Sequence, residues 1–126
     1  METLKAIIVD DSRAMRCLLR GILNEEGVSV AAEAGNGREA LERLYELGPL
    51  DLALIDWNMP EMNGFELLTA LRGDARWGSM RVMLVTTETE STQILRALDA
   101  GADEYLIKPF QKQALREKLQ LMGLLE

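Results

Sequence analysis

Short apolar runs alternate with longer stretches of helical periodicity along nearly the whole chain. Ala6-Ile7-Ile8-Val9 is an uninterrupted, β-branch-rich run that stops at Asp10 and Asp11 and predicts a buried strand at residues 6–9. From residue 12 to 25 the apolar side chains Met15, Leu18, Leu19, Ile22 and Leu23 recur at three- and four-residue intervals, predicting a helix that Gly27 ends. The same two patterns then repeat in pairs. Strands are predicted at residues 28–34, 52–55, 82–85 and 105–107, and helices at about 38–46, 64–71, 91–100 and 112–122. Gly35-Asn36-Gly37, Gly48-Pro49 and Gly101 punctuate them.

Strand-helix alternation of this kind predicts an α/β fold. Parallel strands need crossover connections, and each crossover helix must bury its apolar stripe on the sheet, so helices are expected on both faces. The 126 residues suit one domain, residues 1–126, built on an open five-stranded sheet, and are too few for an eight-stranded α/β barrel. No internal repeat, low-complexity tract or linker interrupts the pattern. In open sheets of this class ligands sit outside the carboxyl ends of the strands.

Composition narrows the chemistry. With 48% hydrophobic and 28% charged residues the chain is an ordinary globular sequence, and no run approaches the ~18 apolar residues of a membrane span. Residues 1–5 lack the basic region of a signal peptide, so a cytoplasmic location without membrane association is expected. Cys17 is the sole cysteine and there is no histidine, which removes internal disulfides, zinc cages, catalytic triads and phosphohistidine chemistry on this chain. The net charge of −7 and the lack of a basic stripe argue against nucleic acid as a partner.

What remains are carboxylates, hydroxyls and lysine at strand ends. Asp10 and Asp11 follow the first predicted strand, Asp56 the third, Thr86 the fourth and Lys108 the fifth. A single Asp after a strand is ordinarily a turn former or a helix N-cap. Three carboxylates converging on one rim, however, repel one another by several kcal/mol per pair at an effective dielectric of about 20. Lys108 supplies one positive charge, and an oxygen-only donor set matches a hard divalent cation, Mg2+ or Mn2+, which leaves positions open for phosphate oxygens. These groups suit phosphoryl transfer, with Asp56 as nucleophile and Thr86 and Lys108 contacting the transferring group.

The runs Asp10-Asp11, Asp56-Trp57-Asn58-Met59-Pro60 with Gly64, Thr86-Thr87-Glu88 and Lys108-Pro109-Phe110 resemble the receiver domains of two-component response regulators, and among them the single-domain chemotaxis regulators. The resemblance covers the whole chain. It implies a flavodoxin-like three-layer sandwich with strand order 2-1-3-4-5 and five helices. It also implies Asp56 as phosphoacceptor and a metal held by Asp11, Asp56 and the Asn58 backbone carbonyl, with Asp10 acting largely through water. Thr86 and Tyr105 would be switch residues, the Lys108–Pro109 peptide would be cis, and the side chains of Asn58 and Glu88 would tune signal lifetime. The implied partners are a sensor histidine kinase and a downstream protein, the flagellar motor switch in the chemotaxis case. A monomer is expected, with dimerisation on phosphorylation as the alternative. The chain would catalyse only its own phosphorylation and dephosphorylation.

Two other classes meet specific objections. A haloacid-dehalogenase-type phosphatase expects Asp-x-Asp at the first strand end, but Ser12 stands two residues after Asp10 and Arg13 two after Asp11. A flavodoxin-type module needs phosphate-binding donors there, and two carboxylates would repel the phosphate. Within the receiver reading, a phosphorelay shuttle and a receiver excised from a larger regulator stand beside the chemotaxis messenger. Lys118 resembles the latter, whereas residues 88–91 lack the lysines expected after the fourth strand. Beyond a single helical stripe, Leu121, Leu124 and Leu125 add apolar surface near the C-terminus, expected to pack on the body, with a partner or a second copy as the alternatives.

Overall fold

The computed structural model describes residues 3–126. Five parallel strands, β1 (Lys5–Val9), β2 (Ser29–Ala34), β3 (Leu52–Ile55), β4 (Arg81–Thr86) and β5 (Glu104–Ile107), form one sheet in the order β2-β1-β3-β4-β5. The connecting helices are α1 (Arg13–Glu25), α2 (Gly37–Leu47), α3 (Gly64–Arg72) and α4 (Ser91–Asp99), and α5 (Lys112–Leu121) follows the last strand. This is the flavodoxin-like arrangement.

Side-chain alternation along the strands divides the core into two layers. Ile7, Val9, Ala53, Ile55, Val82 and Leu84 point to the face covered by α2, α3 and α4, where they meet Leu44, Leu67, Leu68, Leu71 and Ala97. Ala6, Ile8, Leu52, Leu54, Met83 and Val85 point to the other face, against Leu19, Ile22 and Leu23 of α1 and Leu115 and Leu119 of α5. Past their exposed first residues, Lys5 in β1 and Arg81 in β4, the central strands are buried and, up to Thr86, apolar, as strands covered on both faces must be.

Local signals set the element ends. Ser12 caps α1 by accepting the Met15 N–H, Asn36 caps α2 by accepting that of Glu39, and Asn63 and Glu66 form a capping box on α3. Beyond α1, Gly27 adopts φ +80°, the left-handed turn that terminates the helix. Predicted boundaries shift by a residue or so, as fraying ends do. Leu124 and Leu125 pack against the α1–α5 layer as expected, whereas Leu121 is 72% exposed and does not. No helix among the described residues is long and apolar enough to cross a membrane.

One element has no counterpart in the periodicity. A 3-10 turn, Ala75–Trp77, folds the chain after α3 so that Trp77 is 1% exposed. Three residues are too few to register as a repeat. The turn is held by Arg72, whose guanidinium donates to the carbonyls of Trp77 at 3.0 Å, Met80 at 2.8 Å and Gly101 at 2.9 Å and pairs with Asp103 at 2.9 Å. Asp103 in turn accepts the Val82 N–H at 2.8 Å, tying the start of β4 to the same point. Arg72→Met, which keeps the stem and leaves these carbonyls without their donor, is expected to lower stability by about 2 kcal/mol in urea denaturation.

Candidate functional site

Parallel strands all end on the same rim, and the four that form the middle and one edge of the sheet deliver the polar residues there. Asp10 follows β1, Asp56 follows β3, Thr86 is the last residue of β4 and Lys108 follows β5. Asp10 is 1% exposed, Asp56 8% and Thr86 0%, and they are the buried polar residues of an otherwise apolar core. Carboxylate oxygens of Asp10, Asp11 and Asp56 all lie within 4.8 Å of one another. Lys108 stands between two of them, with its Nζ 2.7 Å from Asp10 and 3.4 Å from Asp56. The Lys108–Pro109 peptide is cis.

Each carboxylate is held differently. Asp10 accepts both Lys108 and the Ser12 N–H, the latter at 2.8 Å, so it is directly engaged with the protein. Its backbone carbonyl accepts Arg16 Nη1 at 2.6 Å. Asp11 is exposed at the mouth of the cluster. Asp56 is carried by a loop whose return is very tight. Gly64 N–H donates to the Trp57 carbonyl at 2.9 Å, and a Cβ on Gly64 would stand 2.2 Å from the Asp56 carbonyl oxygen, so only glycine fits.

Electrostatics follow from this geometry. Burial raises the Asp56 pKa above the ordinary carboxylate value. The Lys108 charge opposes that shift, the Asp10 charge adds to it, and hydrogen bonding by Thr86 and Lys108 opposes it, with burial prevailing. One ammonium does not neutralise three carboxylates. The donor set, oxygen-only with its carboxylate oxygens within 4.8 Å of one another, fits the chemistry of Mg2+, which takes hard oxygen ligands at ~2.0–2.1 Å.

The residues expected to relay a signal surround Thr86. Its hydroxyl accepts the Glu88 N–H at 3.3 Å. Tyr105 is 7% exposed and points inward, its hydroxyl donating to the Glu88 carbonyl. Burial first, then the charges of Glu88 and Asp56, push the phenol up to about 12, so it remains a donor throughout the physiological range. The Glu88 carboxylate accepts the Glu90 N–H at 3.0 Å and so supports the start of α4. Asn58 is exposed in the loop after β3.

Five contacts escaped the sequence reading. Trp57 stacks on Phe65 with ring centroids 5.4 Å apart, and Arg96 of α4 lies over Phe65 at 4.1 Å, linking the loop that carries Asp56 to α4. Arg16 pairs with Glu33 of the edge strand at 3.2 Å while it holds the Asp10 carbonyl. Glu61 adopts φ 62° and accepts the Asn36 amide at 3.0 Å, joining two loops of the rim. Each joins separate elements or loops, and no spacing rule marks such partners.

A sheet of this order with acidic, hydroxyl and lysine side chains at its carboxyl rim defines a phospho-receiver type of site. Residues 6–120 match the family model described as response regulator receiver domain, and the chain belongs to that family. Phosphorylation-dependent signalling is the family's general function, and its members bind Mg2+ at an acidic pocket. More particularly, its relatives are chemotaxis regulators of the CheY type. The chain is 41% identical over 117 residues to chemotaxis protein CheY of Pseudomonas aeruginosa, covering 93% of this chain and 94% of that protein. It is 38% identical over 119 residues to chemotaxis protein CheY1 of Helicobacter pylori, covering 94% and 96%. The structure of Vibrio cholerae chemotaxis protein CheY4 matches with a TM-score of 0.86 at 33% identity, covering 94% of this chain and 98% of that one.

The raised Asp56 pKa has a sign that can be tested. The folded state binds the Asp56 proton more tightly than the unfolded state, so between the ordinary carboxylate pKa and the raised value stability falls as pH rises. Above that window the full penalty is present. Asp56→Asn, which keeps the shape and removes the charge, is therefore expected to stabilise the metal-free protein at pH 7 by about 1 kcal/mol, the size of one close charge-charge interaction in a wet site. Thermal melts in chelator should show the gain, and it should shrink as pH approaches 4 or as Mg2+ is added.

Proposed function

We propose that the chain is a phosphorylation switch in which Asp56 accepts a phosphoryl group from the phosphohistidine of a sensor kinase. Residues 1–126 act as one receiver unit. The observation that carries this reading is the seating of Lys108 between Asp10 and Asp56, with Asp11 exposed at the opening and Thr86 buried beside them. Asp11, Asp56 and the Asn58 backbone carbonyl would hold Mg2+ or Mn2+, with Asp10 contributing through water. When bound, the cation supplies neutralisation of the transferring phosphoryl oxygens.

The residues divide the work. An Asp56 carboxylate oxygen attacks phosphorus in line, the donor P–N bond breaks, and imidazole leaves with the electron pair as the P–O bond forms. The Lys108 ammonium and the Thr86 hydroxyl hold oxygens of the phosphoryl group. The product carries about two negative charges and three acceptor oxygens. Thr86 and the loop to Glu88 are drawn toward them, Tyr105 enters the space this opens, and the face formed by α4, β5 and α5 takes its signalling shape. Asn58 and Glu88 set how readily water reaches the acyl phosphate. The chain acts only on its own phosphoryl group, so it is a signalling protein rather than an enzyme with external turnover.

Likeness to chemotaxis proteins over more than nine-tenths of the chain supports a cytoplasmic role in chemotaxis, with a flagellar motor switch as target. Residues 88–91, Glu-Thr-Glu-Ser, contain no lysine, which favours weighing a phosphorelay shuttle beside it.

Incubation with acetyl phosphate and Mg2+ should add one phosphoryl group by intact mass and change the fluorescence of Trp57, which adjoins Asp56, over a background from Trp77. Asp56→Asn should abolish the mass gain, and Lys108→Met should slow it by about 10²-fold, the scale of removing one preorganised donor. A mass gain that survives Asp56→Asn overturns the assignment. Tyr105→Ala should still be phosphorylated and should lose phosphorylation-dependent affinity for the downstream protein. Capture of a motor-switch protein by the phosphorylated form supports the messenger, and transfer onward to a second histidine protein supports the shuttle.

A further inference from the structure

The acidic cluster is held from behind as well as from within. Arg16, on the second turn of α1, sends its Nη1 2.6 Å to the carbonyl oxygen of Asp10 and its Nε 3.2 Å to Glu33 of β2. Glu33 also accepts Arg20, so Arg16 is fixed at both ends of its guanidinium. The Asp10 N–H is meanwhile bonded to the Ala34 carbonyl at 3.0 Å, next to Glu33 on the same edge strand. The peptide before Asp10 is thereby fixed by β2, and the orientation of the one joining Asp10 to Asp11 is fixed by Arg16 at its carbonyl.

This matters most for Asp11. The ion pairs of the cluster run from Lys108 to Asp10 and Asp56, and Asp11, exposed at the mouth, takes part in neither. Its carboxylate is aimed by its own backbone, and that backbone follows the plane of the peptide that Arg16 holds. Glu33 answers Arg16 and Arg20 together, so part of the Arg16 charge remains and would oppose a nearby cation rather than attract it; what Arg16 can contribute to cation binding is geometry.

We propose that Arg16 is a positioning residue of the cation site, aligning the Asp10–Asp11 peptide so that Asp11 reaches the geometry a small octahedral ion requires. The inference rests on the Mg2+ site of the proposed function. Mg2+ demands near-ideal octahedral geometry at about 2.0–2.1 Å, whereas Ca2+ accepts irregular spheres at about 2.3–2.6 Å. A loosened Asp11 should therefore harm Mg2+ binding more than Ca2+ binding. A residue that merely supports the fold would weaken both alike.

The test is calorimetric titration of Mg2+ and of Ca2+ into the wild type, Arg16→Met, Arg16→Lys and Glu33→Gln proteins, with Trp57 fluorescence as a second readout. Arg16→Met is expected to weaken Mg2+ binding by about tenfold, the lower end of what loss of a supporting partner of a metal site costs. Its Ca2+ affinity should change by less than about threefold. Arg16→Lys keeps the charge without the fork that spans Asp10 and Glu33, and should restore little of the Mg2+ affinity. Glu33→Gln should fall between the wild type and Arg16→Met. Unchanged Mg2+ affinity in Arg16→Met, equal losses for both ions, or full restoration by Arg16→Lys would each overturn the positioning role. A wild-type protein that binds no Mg2+ would overturn the proposed function instead, so the two failures are distinguishable.

Discussion

Three carboxylates on one rim, with one lysine among them, form the constraint on which the rest of the molecule is arranged. At separations near 4.8 Å two full charges repel by about 3 kcal/mol even at an effective dielectric of about 20, and burial of Asp10 and Asp56 makes that harder to relieve with solvent. Lys108 relieves part of it by reaching Asp10 at 2.7 Å and Asp56 at 3.4 Å. The remainder is an unsatisfied demand for positive charge at a site open toward Asp11. A cluster of this kind is tolerable only in a scaffold stiff enough to hold like charges together. The two apolar layers on either face of the sheet supply that stiffness, since each central strand is buried through to its carboxyl end.

The same stiffness makes the surroundings of the site responsive. Thr86 lies at the end of a buried strand, and two residues later the chain meets Tyr105 through the Glu88 carbonyl and the start of α4 through the Glu88 side chain. Along a second route, Trp57 beside Asp56 stacks on Phe65, and Phe65 carries Arg96 of α4. Both routes converge on α4, whose buried contribution to the core among its own residues is Ala97. An element anchored so lightly is suited to shift when the charge at Asp56 changes, because little packing opposes its movement.

Much of this was legible from residue order. The five strand-helix pairs follow from periodicity, and the placement of Asp10, Asp56, Thr86 and Lys108 on one rim follows from the rule that parallel strands share an end. The strand order came through the family resemblance, because periodicity says which segments are strands and nothing about which are neighbours. The Ala75–Trp77 turn was illegible since it is too short to show a repeat and is held by Arg72 through backbone carbonyls, which every residue has. Which of the C-terminal leucines meet the body was open in the sequence, because apolar character near a helix end does not specify a side; Leu121 turned out exposed.

By itself the sequence determined the element types, the sheet's parallel character and the set of side chains at its carboxyl rim, because these depend on local patterns and on backbone hydrogen bonding common to all chains. Only the tertiary structure decided how those side chains engage. It placed Lys108 nearer to Asp10 than to Asp56, turned Tyr105 inward to the Glu88 carbonyl, and brought Arg16 and Glu33 behind the Asp10–Asp11 peptide. Such pairings join residues separated by up to 98 positions. They depend on distances and angles between packed elements, which exist only after the two core layers have closed on the sheet.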